Sequence, residues 1–278
     1  MRPLCSLVLI SALFGAGCAH SPLTGAELAE VQRPAFISRI EEGAGPRSEV
    51  FRGDGSHAPR LKRLDPREAD RRLELKLQNA MSRFEIAERL RATTAAALPA
   101  EPPWTRAVDP ARVAQVLQSF LVQEVPANPP DYQAVGELGA DAIVEFVIES
   151  YGLRSEDGHA GAYLLGYGRM FTLDGRELWR RNVRVDQLAS GLPGMDPFEV
   201  AKRPELWREA MTSMLDAVAR QFAADLSPED RRASAAPAQP PAPAGEAEED
   251  VPEELRLEDD SVTPGNGTTG DEGDEDPL

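Results

Sequence analysis

Residues 141–187 decide the fold: DAIVEFVIESYGLRSEDGHAGAYLLGYGRMFTLDGRELWRRNVRVDQ. The first run has apolar side chains at every second position, which is the period of a β-strand: Ala142, Val144, Phe146 and Ile148. The turn-like SEDGHAG separates it from a second run, and Asp174-Gly175 separates the second from a third. Asp-Gly between two alternating runs is typical of a β-hairpin. The segment therefore predicts a three-stranded antiparallel meander.

Helical patterns flank the meander on both sides. Before it, Asp65 is placed to cap a helix, Pro66 fits the first helical position and Glu68 completes a capping box. After it, between about 204 and 226, apolar side chains recur every three or four residues: Trp207, Met211, Met214, Leu215, Val218 and Phe222. This stripe is expected to pack on the sheet.

The other segments complete the fold class. We expect strands at 33–40 and 83–89, a loop at 41–63, and helices at about 109–123 and 131–139. The strand at 83–89 is predicted because Phe84 and Ile86 alternate with polar residues. The order is then (β)αβααβββα. This is a single α+β domain over residues 33–226, with a mostly antiparallel sheet packed by helices.

The amino terminus has the layout of an export signal. A basic start precedes about a dozen apolar residues, and the small residues Gly15-Ala16-Gly17 come directly before Cys18. An apolar run this short is not a transmembrane helix, which needs roughly 20 residues. The end of the run resembles the bacterial lipobox, so residues 1–17 are predicted to be a lipoprotein signal peptide and Cys18 to be lipidated. An ordinary secretory signal that is cut near Ala19 is the alternative.

The cysteine count agrees with an anchor at Cys18. The chain has two cysteines, and Cys5 lies in the predicted signal peptide, so the mature chain could form no internal disulfide. Acylation, for example with palmitate, would also remove a free thiol from an oxidising compartment. Residues 18–32 are expected to form the anchor and a tether. Ala19, rather than an acidic residue, follows the cysteine, which favours the outer membrane over the inner membrane.

The negative charge is concentrated at the carboxyl terminus. The formal net charge is −17, and residues 227–278, with 16 acidic and three basic residues, account for −13 of it. This segment is rich in Pro, Ala and Gly and has no aromatic residue, so it cannot bury enough apolar area to offset its ordering entropy. We predict a disordered acidic tail that keeps the protein soluble; partner binding and weak calcium attraction are the alternatives. No basic domain is present, which argues against nucleic-acid binding.

Three short phrases, together with the element order, carry a family resemblance. They are Ser82-Arg83-Phe84-Glu85-Ile86 after a helix, Gly139-Ala140-Asp141 before a strand, and Asp174-Gly175 followed by Trp179. Over residues 65–226 the chain resembles the periplasmic domain shared by the TolB amino-terminal domain, the curli-secretion lipoprotein and the penicillin-binding-protein activator lipoproteins. The resemblance implies a role in regulating a cell-wall synthase or in serving a transport or secretion system. The chain has no membrane-inserting hairpins of the kind that a secretion pore needs.

Residues suited to catalysis are few. The three histidines, His20, His57 and His159, have no metal-ligand spacing and are expected in solvated loops. Gly166-Tyr167-Gly168 lies inside a strand, where it is expected to allow a bulge or a close backbone approach rather than to bind phosphate. We therefore predict no enzyme activity, no cofactor and no metal.

Glu145 and Glu149 are predicted to lie on one face of the first meander strand. An acid/base pair is one interpretation, but hydrolases need two carboxylates opposed across a substrate. A solvated or cation-paired sheet face is preferred, with cations supplied by arginines of the third strand: Arg180, Arg181 and Arg184.

Four aromatic residues of the meander are candidates for partner binding: Tyr163, Tyr167, Phe171 and Trp179. Packing in the core is the alternative, but Tyr and Trp dominate binding hot spots. The chain is thus predicted to be a non-enzymatic, lipid-anchored, periplasm-facing interaction or accessory module of a bacterial envelope complex. Its partners would be membrane lipid through Cys18 and an unidentified envelope protein, with self-association left open. The alternative is an envelope ligand-binding protein or hydrolase that uses a cleft beside the sheet.

Overall fold

The computed structural model describes residues 20–53, 55–117 and 125–228. All of them belong to the first of two compact units, Met1–Ala236 and Pro237–Leu278. The described residues form six strands: β1 His20–Ser21, β2 Pro34–Ile40, β3 Arg47–Glu49, β4 Ala142–Glu156, β5 His159–Thr172 and β6 Glu177–Asp186. The fold is α+β, as predicted.

The strands form one mixed sheet in the order β1-β6-β5-β4-β2, with β3 also paired to β4. The predicted meander is confirmed, because β4, β5 and β6 pair antiparallel in sequence order. The strand expected at 33–40 is also present as β2, and it pairs parallel with β4. β1 pairs antiparallel with β6, with His20 opposite Arg181 and Ser21 opposite Arg180.

Eight helices are formed by the described residues. They are α1 Gly25–Glu30, α2 Ala58–Leu61, α3 Pro66–Ala80, α4 Arg83–Ala97, α5 Pro110–Leu117, α6 Tyr132–Gly136, α7 Pro197–Lys202 and α8 Glu205–Asp225. The predicted cap at Asp65 is confirmed, because its carboxylate accepts hydrogen bonds from the backbone N–H groups of Arg67 and Glu68. The predicted capping box is wrong, because the Glu68 carboxylate accepts from the Arg71 and Arg72 side chains instead.

The strand predicted at Arg83–Arg89 is wrong, because this segment is the first half of helix α4. Ser82 and Glu85 form a reciprocal capping box, in which each side chain accepts a hydrogen bond from the other residue's backbone N–H. Ile86 and Leu90, which are four residues apart, are buried on one side of the helix. The capping signal and the helical spacing therefore outweigh the short alternation of Phe84 and Ile86.

The core lies mainly between the sheet and the layer that contains α3, α4 and α8. The predicted stripe of α8 is confirmed, since Trp207, Met211, Leu215 and Phe222 are almost fully buried. Phe222 stacks on Phe146 of β4, with ring centroids 5.3 Å apart. A smaller cluster on the opposite face of the sheet joins α5 and α6 to β2, β4 and β5. Helices therefore cover one face of the sheet extensively and the other only at one end.

The folded domain extends further toward the amino terminus than residue 33. The segment 18–32, expected to be an anchor and tether, includes β1 and α1, and Leu23, Leu28 and Val31 are buried in the main core. The loop expected at 41–63 contains β3 and α2. The helix expected at 109–123 is described only to Leu117, and Cys18 and residues 229–278 of the predicted tail lie outside the described residues.

None of the helices in the described ranges combines the length and the apolar character that crossing a bilayer would require.

Candidate functional site

The alternation of β5 sorts the candidate aromatic residues onto two faces of the sheet. Leu164 and Met170 point into the main core beside α8, whereas Tyr163, Tyr167 and Phe171 point to the opposite face. Trp179 of β6 lies on the α8 side, fully buried, with its ring edge-on to Phe222 at a centroid distance of 5.5 Å. The structure therefore does not bring the four predicted residues together, and it places Trp179 in the core.

Tyr163, Leu165 and Tyr167 form a row of half-buried side chains on the outer part of this opposite face; we call them the Tyr163 row. Phe171 lies four residues beyond Tyr167 on the same face of β5. It is buried because Tyr132 of α6 packs against it, with ring centroids 5.0 Å apart. The sheet face is therefore covered at the Phe171 end and accessible at the Tyr163 end.

Glu145 lies between these two ends, at the centre of a buried ion cluster. Its side chain is fully buried and accepts hydrogen bonds from Arg39 Nε at 3.2 Å and Arg169 Nε at 2.6 Å. The Tyr132 hydroxyl donates a third hydrogen bond at 2.5 Å. β2 places Arg39 opposite Val147 of β4, so it is a diagonal neighbour of Glu145 on the same face, and β5 places Arg169 directly opposite Glu145. A buried carboxylate requires such partners, because an unpaired buried charge is very costly.

The electrostatics of the cluster hold Tyr132 neutral. Burial raises the pKa of Tyr132, and its hydrogen bond to the Glu145 carboxylate raises the pKa further. The pKa of Arg169 is also raised: burial lowers it, but the attraction of Glu145 outweighs the burial. Tyr132 therefore acts as a proton donor in a hydrogen bond, and the carboxylate is occupied by three donors.

The predicted pairing of Glu145 with cations is confirmed, but the predicted donors are wrong. Arg39 and Arg169 supply the charges, whereas Arg180 contacts Glu177 at 3.4 Å and Arg181 contacts Asp225 at 3.6 Å. The sequence did not indicate Arg39, because its position depends on a parallel pairing between strands separated by more than one hundred residues. Glu149 is exposed, and a bulge between Ile148 and Ser150 interrupts the alternation there.

Gly166 and Gly168 have the role expected of them. A Cβ at Gly166 would meet the backbone oxygen of Val147, and a Cβ at Gly168 would meet the indole ring of Trp179. The glycines therefore let the chain of β5 approach its neighbours closely.

A depression of about 210 Å³ opens beside the Tyr163 row, and it is rich in arginine. Its lining includes three arginines, two acidic residues and two side chains of the row: Arg47, Arg154, Arg184, Glu49, Asp186, Tyr163 and Leu165. Glu49 pairs with Arg52 at 3.7 Å. Asp186 pairs with Arg154 at 2.5 Å, and Arg47 donates to the backbone oxygen of Gly43. Arg184 is exposed and forms no ion pair with any described residue. The depression can therefore offer a positive charge to an anionic group beside an aromatic ring.

The second tyrosine of the row is held by two more arginines. The Arg180 guanidinium lies over the Tyr167 ring at 4.2 Å, and Arg39 Nη2 donates to the Tyr167 hydroxyl at 3.2 Å. This fixes the orientation of Tyr167 while one side of the residue stays accessible. A rigid, half-exposed aromatic side chain loses little conformational entropy when a partner binds.

His57 was expected to be solvated, and this expectation is wrong. Its ring is buried between Phe51 and Phe198, and its Nε2 lies 2.8 Å from Ser155 Oγ. Ser155 Oγ donates to the backbone oxygen of His159 at 3.0 Å, so the hydroxyl proton is already engaged. His159 is exposed, and the side chain of His20 is not described.

The described residues include no group of three His, Cys, Asp or Glu side chains that could hold a metal ion. A comparison of the whole chain with protein-family models gives no match, and a comparison with curated proteins gives no significant relative.

Proposed function

We propose that this protein is a lipid-anchored accessory module of a bacterial envelope complex, and that it acts by binding rather than by catalysis. Cys18 would carry the lipid, and the domain would face the periplasm, at the outer membrane in preference to the inner. The resemblance to envelope lipoprotein domains supports two roles, regulation of a cell-wall synthase and service to a transport or secretion system.

The observation that carries the proposal is the Tyr163 row with its surrounding arginines. Tyr163, Leu165 and Tyr167 are partly exposed, occupy alternate positions of β5 and lie on a strand that is paired on both sides. Tyrosine and arginine are the residue types enriched in binding hot spots, and rigid strands present them with little entropy loss.

The alternative, ligand binding or hydrolysis in a cleft beside the sheet, has one observation in its favour. A second depression of about 420 Å³ is lined by Tyr132, Arg169 and Phe171, among other residues. However, the two polar residues that this depression shares with the ion cluster, Tyr132 and Arg169, already donate hydrogen bonds to the buried Glu145 carboxylate. A small anion placed there would have to compete with Glu145 for Arg169, so we favour the protein-binding proposal.

Site-specific photocrosslinking tests the proposal. A photoreactive residue would replace Tyr163 or Tyr167 in the lipidated protein, which would be expressed in its own host cells so that the envelope contains the natural partners. Leu75, which is 49% exposed on α3 in the opposite layer, serves as the matched control position. We expect the same adduct from both tyrosine positions and no adduct from position 75. Equal adducts at all three positions, or none at any, would refute a partner surface here, and adducts between two copies would indicate self-association.

The anchor is tested separately. Wild-type protein should carry acyl chains on the peptide that begins at Cys18, detectable by mass spectrometry, and should partition into detergent. The Cys18→Ala variant should lose both properties. An unmodified mature chain that begins at Ala19 or beyond would support the ordinary secretory signal instead.

A further inference from the structure

The amino-terminal entry of the chain fixes which edge of the domain meets a membrane. β1 is hydrogen-bonded to β6 at His20 and Ser21, and the residues that follow, Leu23 and Leu28, are buried in the core. Cys18 precedes His20 by two residues, a span of at most about 7 Å in an extended chain. The described domain therefore begins two residues after the predicted lipidation site.

The direction of β1 adds a second constraint. β1 is antiparallel to β6, with His20 opposite Arg181, so the upstream end of β1 points toward the half of β6 that contains Arg184. Three residues of strand separate Arg181 from Arg184, which is about 10 Å. A lipid on Cys18 would accordingly be held within about 7 Å of His20, near this half of β6.

This half of β6 has side chains suited to an anionic surface. Asn182 and Arg184 are exposed, and Arg184 makes no ion pair within the part of the chain that the structure describes. The nearest acidic residue on the strand, Asp186, is paired with Arg154 at 2.5 Å. Arg180, on the same face, is about one third exposed above the Tyr167 ring. Among the described residues, Arg184 therefore presents a positive charge without an ion-pair partner on this half of the strand.

We propose that β6 is the membrane-facing edge of the domain and that Arg184 contacts the phosphate of anionic phospholipid headgroups. This inference rests on the proposed lipidation of Cys18. The guanidinium matches phosphate geometry, and each basic side chain near an anionic surface strengthens its attraction. The protein would then lie edge-on, with a defined orientation, rather than rotate freely about its anchor.

Proximity labelling of the full-length lipidated protein tests the orientation. Lipidation blocks the thiol of Cys18, so Asn182→Cys provides a single thiol for a fluorophore, and Arg67→Cys provides a matched thiol on α3 in the opposite layer. Asn182 and Arg67 are both exposed, so neither substitution should disturb the fold. In vesicles whose headgroups carry a quencher, we expect strong quenching at position 182 and little at position 67. Equal quenching at both positions would overturn the proposal.

The ligand chemistry needs a second measurement. The lipidated Asn182→Cys protein would be placed in vesicles of phosphatidylglycerol and phosphatidylethanolamine, or of phosphatidylcholine alone, with the same headgroup quencher in low salt. We expect stronger quenching at position 182 in the anionic vesicles and loss of that difference in high salt. Arg184→Ala should shift the orientation equilibrium about fivefold away from the quenched state, whereas the control Arg67→Ala should not. Equal effects of the two substitutions, or equal quenching in the two kinds of vesicle, would overturn headgroup contact.

These outcomes separate the inference from the proposed function. Absence of acyl chains on Cys18 refutes the anchor and removes the basis of the inference. A lipidated protein that shows no quenching at position 182 refutes only the orientation and leaves the partner surface intact.

Discussion

Replacement of Glu145 by glutamine should destabilise the protein severely, because it leaves two arginines near a buried site without their common counter-charge. The carboxylate is fully buried, the Arg39 side chain is 5% exposed and the Arg169 side chain is 24% exposed. Removing one partner of a buried ion pair typically costs about 3–5 kcal/mol. For a domain of this size each kcal/mol lowers the midpoint of thermal unfolding by about 2–4 °C. We therefore expect Glu145→Gln to lower that midpoint by on the order of 10 °C.

Urea unfolding followed by tryptophan fluorescence provides the assay. Trp179 and Trp207 are fully buried in the main core, so their emission reports loss of the sheet–helix packing. Glu177→Gln is the matched control, because Glu177 is 39% exposed and pairs with Arg180 at 3.4 Å. Exposed pairs contribute about 0–1 kcal/mol. A loss for Glu145→Gln no larger than that of the control would refute the buried cluster.

A triple replacement separates charge from packing. Arg39→Met, Glu145→Met and Arg169→Met together remove the whole cluster and keep its approximate volume. Buried ion pairs replaced as a unit by apolar residues are often as stable as the original. We expect the triple variant to recover most of the stability lost in Glu145→Gln. A triple variant that is less stable than the single one would show that the cluster stabilises the fold through its hydrogen bonds rather than merely tolerating its own charges.

Three further predictions concern the core and one helix. Burial raises the pKa of Tyr151 to about 12. Above about pH 10 the unfolded chain therefore loses a phenol proton that the folded chain keeps. The free energy of unfolding should decrease as the pH rises from about 10 to about 12. Tyr151→Phe should flatten this alkaline decline in urea midpoints. Gly168→Ala should cost about 1–3 kcal/mol in the same assay, because the new Cβ overlaps the Trp179 ring. Ser82→Ala should cost about 1 kcal/mol and speed hydrogen exchange in the first turn of α4, since it removes the cap that Glu85 completes; unchanged exchange would contradict the capping box.

The elements that sequence reasoning predicted correctly are those with long, regular local patterns. The Asp174-Gly175 turn, the alternation in β4 and the α8 stripe each depend on residues close together in the chain. The cap at Asp65 is local in the same sense. The segment at Arg83–Arg89 was ambiguous because a few alternating apolar residues fit either a strand or a helix. The cap at Ser82 and the four-residue spacing of Ile86 and Leu90 distinguish the two.

What the sequence could not reveal depends on contacts between distant segments. The burial of Arg39 follows from its parallel pairing beside Glu145, and the burial of Leu28 follows from the docking of α1 on the main core. The separation of Trp179 from Tyr163 and Tyr167 depends on which face of the sheet α8 covers. Composition identified aromatic candidates for the surface, but only the helix layer decides which of them remain accessible.

The ion pair between Arg181 and Asp225 joins the two ends of the described domain. Arg181 lies opposite His20 in the sheet, and Asp225 is the last residue of α8, so the chain enters and leaves the described domain at one corner. Domains whose ends meet in this way tolerate circular permutation. A short bridge from Ser227 to His20, with new ends opened at the Asp157-Gly158 turn, should give a chain that folds to the same sheet. Such a permutant would move the chain ends from the β6 edge to the far tip of the β4–β5 hairpin without altering the core.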